Sequence, residues 1–147
     1  MKRLVFMLVV LIGIQYPVNS TMGNNFEFTN NQDKAFISED GFYKELNKDI
    51  YEEFKNASYS IRKKISYIEV PEAENFFKMK TKLNCEEKIT LQTTNIHPDR
   101  QVYFFASFMQ DEKEEHHKYT VIDAETNRVL LSGKSYHQYD NLYEKPK

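Results

Sequence analysis

The densest group of side chains able to do chemistry is the run Asp111, Glu112, Lys113, Glu114, Glu115, His116, His117. Carboxylates and imidazoles are ordinary ligands of a divalent metal, and an imidazole beside a carboxylate is an ordinary general base. The spacing works against both uses. Adjacent residues of an extended chain point to opposite sides, so only one of His116 and His117 can join a site with Asp111 or a neighbouring strand. Neither an HExxH motif nor a His-x-His pair sets two imidazoles on one side. A solvated acidic turn accounts for the run, and no metal or other cofactor is expected.

The second candidate is Cys85 with His97. Cys85 is the sole cysteine, which rules out an intramolecular disulfide. A thiolate nucleophile needs a base, a group that orients the base, and donors for an oxyanion. Glu86 and Glu87 follow Cys85 and disfavour the thiolate. His97 precedes Pro98 and Asp99, a trio that equally suits a turn. No catalytic residue is expected. A small exported hydrolase using Cys85 and His97, or a metal near His116, stands as the alternative. Nucleotide chemistry lacks a Gly-rich phosphate loop. A formal charge of −2, with acids and bases interspersed, offers no basic stripe for nucleic acid.

The elements that would position these residues follow from hydrophobic pattern. Lys2 and Arg3 precede an unbroken apolar run from Leu4 to Ile14. That run is too short to cross ~30 Å of hydrocarbon but suits a signal peptide. Val18 and Ser20 supply small residues for cleavage after Ser20. A secreted or extracytoplasmic chain beginning at Thr21, with no membrane attachment after cleavage, is therefore expected. Residues 21–37, rich in Asn, Thr, Gly and Gln, read as a flexible leader in which Phe26 and Phe28 allow a short edge strand.

From Ser38, the apolar residues Phe42, Leu46, Ile50, Phe54, Ala57, Ile61 and Ile65 recur every three or four positions, which predicts one long amphipathic helix. Ser38 suits its N-cap, Arg62, Lys63 and Lys64 suit its C-terminal end, and Pro71 sets its outer limit. The period then drops to two over 76–83 and 88–94, predicting strands. Gln101 to Met109 is apolar on both faces, so either both are covered or one is a binding surface. Segments 118–123 and 128–133 complete the set. The fold class is α+β, with one long amphipathic helix on a four- to five-stranded antiparallel sheet over 38–135, followed by a tyrosine-containing tail, 136–147.

In the last two strands, Tyr119, Val121, Asp123, Ala124, Thr126, Val129 and Leu130 form a hairpin, with Asp123 suited to cap the turn and Asn127 to positive φ. This pattern resembles the closing strands of PepSY-type and related cystatin-like domains, with Asn127 in place of their usual glycine. The resemblance implies a helix on a curved antiparallel sheet, in a small exported module that binds or restrains another protein, often a peptidase. It supplies no catalytic residue to carry over. The Gln-x-Val-x-Gly loop of cystatin inhibitors is absent, so papain-type inhibition is not implied.

The aromatic content of 14% without tryptophan points to an interface, because Tyr and Phe supply rigid contact area. Tyr103, Phe105 and Met109 share one face of their strand, opposite Phe104, Ala106 and Phe108. With Tyr136 and Tyr139 of the tail they form the expected surface for an unknown protein partner or a homodimer. Asn56-Ala57-Ser58 is an acceptor sequon. The function expected is a small secreted non-catalytic binding module, of the kind that serves as an inhibitor or accessory partner of an extracellular protein; a self-associating envelope protein is the further alternative. Mass spectrometry of protein recovered from culture medium is expected to find Thr21 at the N-terminus; a chain retaining Met1 would contradict the cleavage site.

Overall fold

The computed structural model describes residues 26–83, 89–91 and 95–139. The apolar run at Leu4 to Ile14, Cys85 and the tail beyond residue 139 lie outside the described residues.

The strand β2, Gln101–Gln110, is buried continuously from Val102 to Phe108. Because neighbouring side chains of a strand point to opposite faces, such a run needs an apolar layer on each side. It lies inside a four-stranded antiparallel sheet with the order β1-β2-β3-β4, where β1 is Tyr59–Ser66, β3 is Glu114–Asp123 and β4 is Val129–Gln138. A seven-residue helix, α1 (Glu39–Glu45), precedes β1, and a longer helix, α2 (Val70–Thr81), connects β1 to β2. The fold is therefore mixed α+β with an antiparallel sheet.

On one face, Val102, Phe104, Ala106 and Phe108 pack with Ile61, Val121 and the α2 residues Val70, Ala73 and Phe77. On the other, Tyr103, Phe105 and Ile122 pack with Phe42 of α1, Leu46 and Tyr51. Phe42 stacks on Tyr103 with ring centroids 4.0 Å apart, and Tyr51 stacks on Phe105 at 5.9 Å. The two layers together seal the central strand.

Two expectations from periodicity do not hold. The long helix from Ser38 is realised as α1 alone, followed by an irregular segment and then β1. Ser38 does cap α1, its hydroxyl accepting the Gly41 N–H at 3.2 Å. The helix ends at Leu46, which is extended, and the Asn47 side chain accepts the Asp49 N–H at 2.9 Å. Asn and Asp side chains compete in this way with helical hydrogen bonds. Ile50 is correspondingly exposed rather than part of an apolar face. Ile61 and Ile65 misled the pattern because a spacing of four returns a side chain to the same face in a strand as well as in a helix.

Conversely, the segment 76–83, with its alternating pattern, is mostly helical. Its buried residues Val70, Ala73, Glu74 and Phe77 follow helical spacing, whereas Met79 is 72% exposed. Pro71 stands in the first turn of α2, where its missing N–H has no intrahelical partner to lose. Upstream, the Glu69 carboxylate accepts the Ser66 N–H at 2.8 Å. Residues 89–91 form no strand; the Ile89 N–H donates to the buried Glu74 carboxylate at 2.8 Å, and Lys78 pairs with the same group at 2.8 Å.

Residues 26–37, expected as a leader, are fixed to the domain. Phe28 forms a parallel bridge with Ile96 and is buried in the α2-side core. The Arg100 guanidinium donates to Asp123 through Nε at 2.6 Å and Nη2 at 2.9 Å, and its Nη1 reaches the Thr29 carbonyl at 2.8 Å. Asn31, fully buried, accepts the Gln101 N–H at 2.8 Å. The same Asp123 carboxylate accepts the Thr126 N–H at 2.8 Å, closing the β3–β4 turn, and Asn127 takes a φ of 59° there. Both turn expectations hold.

Burial alone would raise the Asp123 pKa, but hydrogen bonds from Arg100 and Thr126 outweigh it and hold the carboxyl below its ordinary value. Such a group stabilises the fold above its unfolded pKa of about 4 and loses that contribution as pH falls through the lower folded value. Asp123→Asn, which leaves Arg100 buried against a neutral amide, should cost about 3–5 kcal/mol at neutral pH. Urea unfolding should show that difference from wild type shrinking as pH falls below the ordinary carboxylate range of about 4. A difference independent of pH would contradict the role given to the ion pair. Phe42→Ala should also lower stability by about 3–5 kcal/mol in the same measurement, while a loss within ~0.5 kcal/mol would mean that α1 does not seal the sheet.

Candidate functional site

Where α1 and the segment after it stop covering the sheet, the ends of β3 and β4 contribute to a groove of about 430 Å³. Phe54, His116, His117, Lys118, Lys134, Ser135 and Tyr136 line it. The pleat turns four of these side chains to one face: His116 and Lys118 alternate onto one face of β3, directly across from Tyr136 and Lys134 of β4. The Phe54 backbone is held at the other side by its N–H, which donates to the buried Ser107 hydroxyl at 3.1 Å. His116 stands between two rings, its centroid 5.9 Å from Phe54 and 4.7 Å from Tyr136. Its Nε2 lies 3.1 Å from the Glu114 carboxylate.

The charges are unusual for a strand pair. Lys118 faces Lys134 across the β3–β4 ladder, and neither makes an ion pair among the described residues. Lys118 Nζ instead lies 4.2 Å from the Phe54 ring centroid and 5.7 Å from that of Tyr51. Burial pushes the Lys118 pKa down, with Glu52 and Glu53 opposing the shift from a distance. Like charges directly opposite destabilise a sheet, so the pair has a cost that the fold does not require. The two ammonium groups are suited to attracting an anion, and the flanking rings offer apolar contact area beside it.

A second concavity, of about 290 Å³, is lined by Glu39, Asp40, Glu53, Ser60 and Arg62. Arg62, Glu53 and Asp40 satisfy one another there. Arg62 donates to Glu53 at 2.7 and 3.0 Å and to Asp40 at 2.8 Å, and its guanidinium lies 3.8 Å from the Tyr43 ring centroid. This cluster ties α1 and the following segment to β1.

The candidates named from sequence are dispersed. His117 is buried, with Ser135 as its hydrogen-bond partner, on the face away from His116. Among the described residues no group of three or more Asp, Glu, His or Cys side chains is arranged to hold a metal. His97 Nδ1 accepts the Asp99 N–H at 3.1 Å and its ring meets Phe26 edge-on at 5.1 Å, so the imidazole is used in the turn. Its proposed companion, Cys85, lies outside the described residues.

Of the expected partner residues, Tyr103 and Phe105 are fully buried beneath α1 and Tyr51, so they cannot form an open surface. The Tyr103 hydroxyl donates to the Ile37 carbonyl at 2.8 Å. Met109 is half-buried opposite His116. Tyr139 is held by Gln110 at 2.6 Å and Glu115 at 2.8 Å. Tyr136 is 53% exposed and belongs to β4 rather than to a tail. The sequence reading missed Phe54, Lys118 and Lys134. Counting outward from the turn at Asp123 would have set Lys118 opposite Gly133; the irregularity between Val121 and Ile122 shifts the register by one and brings Lys134 across instead.

Among the described residues, no helix is long and apolar enough to cross a membrane. Comparison with known proteins gives no matching family model, no matching curated protein and no matching solved structure.

Lys134→Gln should remove the cross-strand repulsion and raise stability by about 0.2–1 kcal/mol, with a smaller gain at high salt. Urea unfolding at low and high salt measures both; a destabilised variant would show that Lys134 has a structural partner.

Proposed function

We propose that this chain is a small non-catalytic binding module whose contact surface is the groove between Phe54 and Tyr136. One observation carries the reading: the groove keeps two opposed lysines and an exposed tyrosine together on a sheet face that is otherwise sealed. Aromatic rings beside cations are characteristic of protein contact surfaces. The reading places the module outside the cytoplasm, on the strength of Lys2, Arg3 and the apolar run that follows. A helix lying against an antiparallel sheet supports the proposed kinship with PepSY-type and cystatin-like domains, and with it the role of binding another protein.

A photocrosslinking amino acid placed at Tyr136 should yield a heterologous protein adduct in producing cells. The same group at Met79, exposed on α2, should not. Equal adducts from both positions, or none from Tyr136, would overturn the assignment of the groove.

A further inference from the structure

We infer that the groove receives an acidic segment of the partner, docked in extended form along β4 as an added strand. The inference rests on the binding role proposed above and specifies its ligand.

β4 is a sheet edge: among the described residues it pairs only with β3, so one side of its backbone has no strand partner. Ten residues long and exposed over most of its length, it offers a row of peptide groups that an extended chain can pair with. Natural edges of this length are commonly blunted by several charges or a proline. Val129–Gln138 has Lys134 as its single Lys, Arg, Asp or Glu residue and contains no proline.

Charge at the level of the two lysines decides the occupant, since Glu114 already pairs with His116 at the next level. Lys134 and Tyr136 of β4 point into the groove, beside Lys118 and His116 of β3. A strand laid beside β4, about 4.8 Å away, presents alternate side chains to that face. A carboxylate at the position opposite Lys134 would offset the repulsion between the two lysines, while an apolar neighbour two residues along would meet Tyr136. A second copy of β4 is a poorer occupant, because that strand carries no carboxylate and would bring another lysine to the edge.

The probe is a short, end-capped peptide of the repeat Glu-Thr-Val-Thr, which sets Glu and Val two residues apart on one face, titrated into the isotope-labelled chain and followed by amide NMR. Shifts should concentrate at Val129–Gln138 and His116. Replacing every Glu of the peptide by Gln, or making Lys134→Gln in the protein, should weaken binding by about tenfold or more, and added salt should weaken the Glu peptide most. Equal affinity for the Glu and Gln peptides, shifts centred on β1, or no binding would overturn the inference. Concentration-dependent shifts of β4 amides without peptide would overturn it in favour of self-association. A Tyr136 crosslink together with no peptide binding would leave the groove as a contact surface and remove only the acidic strand; absence of the crosslink would remove both.

Discussion

The structure depends on the double-sided burial of β2. From Val102 to Phe108 every side chain is withdrawn from water, with Phe104 turned toward the α2 side and Tyr103 and Phe105 toward α1. A four-stranded sheet with such a centre is not stable behind one helix, because the uncovered aromatic face would remain in water. α2, together with Phe28 and Ile96, supplies the layer on one side. On the other, a seven-residue helix is too short to do so alone, and Leu46 and Tyr51 from the irregular segment complete the cover. Arg62, bonded to Glu53 and Asp40, holds that improvised layer against β1.

The second layer is also anchored through the N-terminal segment. Arg100 links the Thr29 carbonyl to Asp123, and Asp123 organises the turn that joins β3 to β4. Glu125 extends the connection, meeting Arg100 at 2.8 Å and pairing with Lys34. Residues 26–37 and the β3–β4 turn therefore share one charge cluster, buried at Arg100 and Asp123, although they are remote in sequence. The register of the hairpin, and with it the alignment of Lys118 with Lys134, is set at this end of the sheet. The groove at the opposite end of the same strands inherits its geometry from that register.

Much of this was legible where one interpretation of a pattern was physically forced. The apolar run on both faces of β2 allowed only two outcomes, and Asp123 with Asn127 specified a tight turn that occurs as read. Helix and strand were confused where spacing was degenerate. Ile61 and Ile65 satisfy both periods, and Phe77, Met79 and Thr81 alternate by coincidence within α2. Local signals that would have settled the matter were present: Glu69 spaced three residues after Ser66, with Pro71 following, marks a helix start rather than an end. The groove was less legible because it depends on which part of a sheet face a distant segment leaves uncovered. Tyr136 was found through its residue type; Phe54 was absorbed into a helix stripe that does not form, and Lys118 carried no signal that singled it out.

The most direct test of the sealed-sheet account is a nuclear Overhauser experiment on the native chain. Ring protons of Phe42 should contact those of Tyr103, at the 4.0 Å centroid separation, and ring protons of Tyr59 should contact those of Phe77 on the other side, at 5.9 Å. Both sets in one folded species are required. Contacts from Phe77 without any from Phe42, with the Tyr103 ring open to solvent, would show that β2 has a single cover and contradict the account.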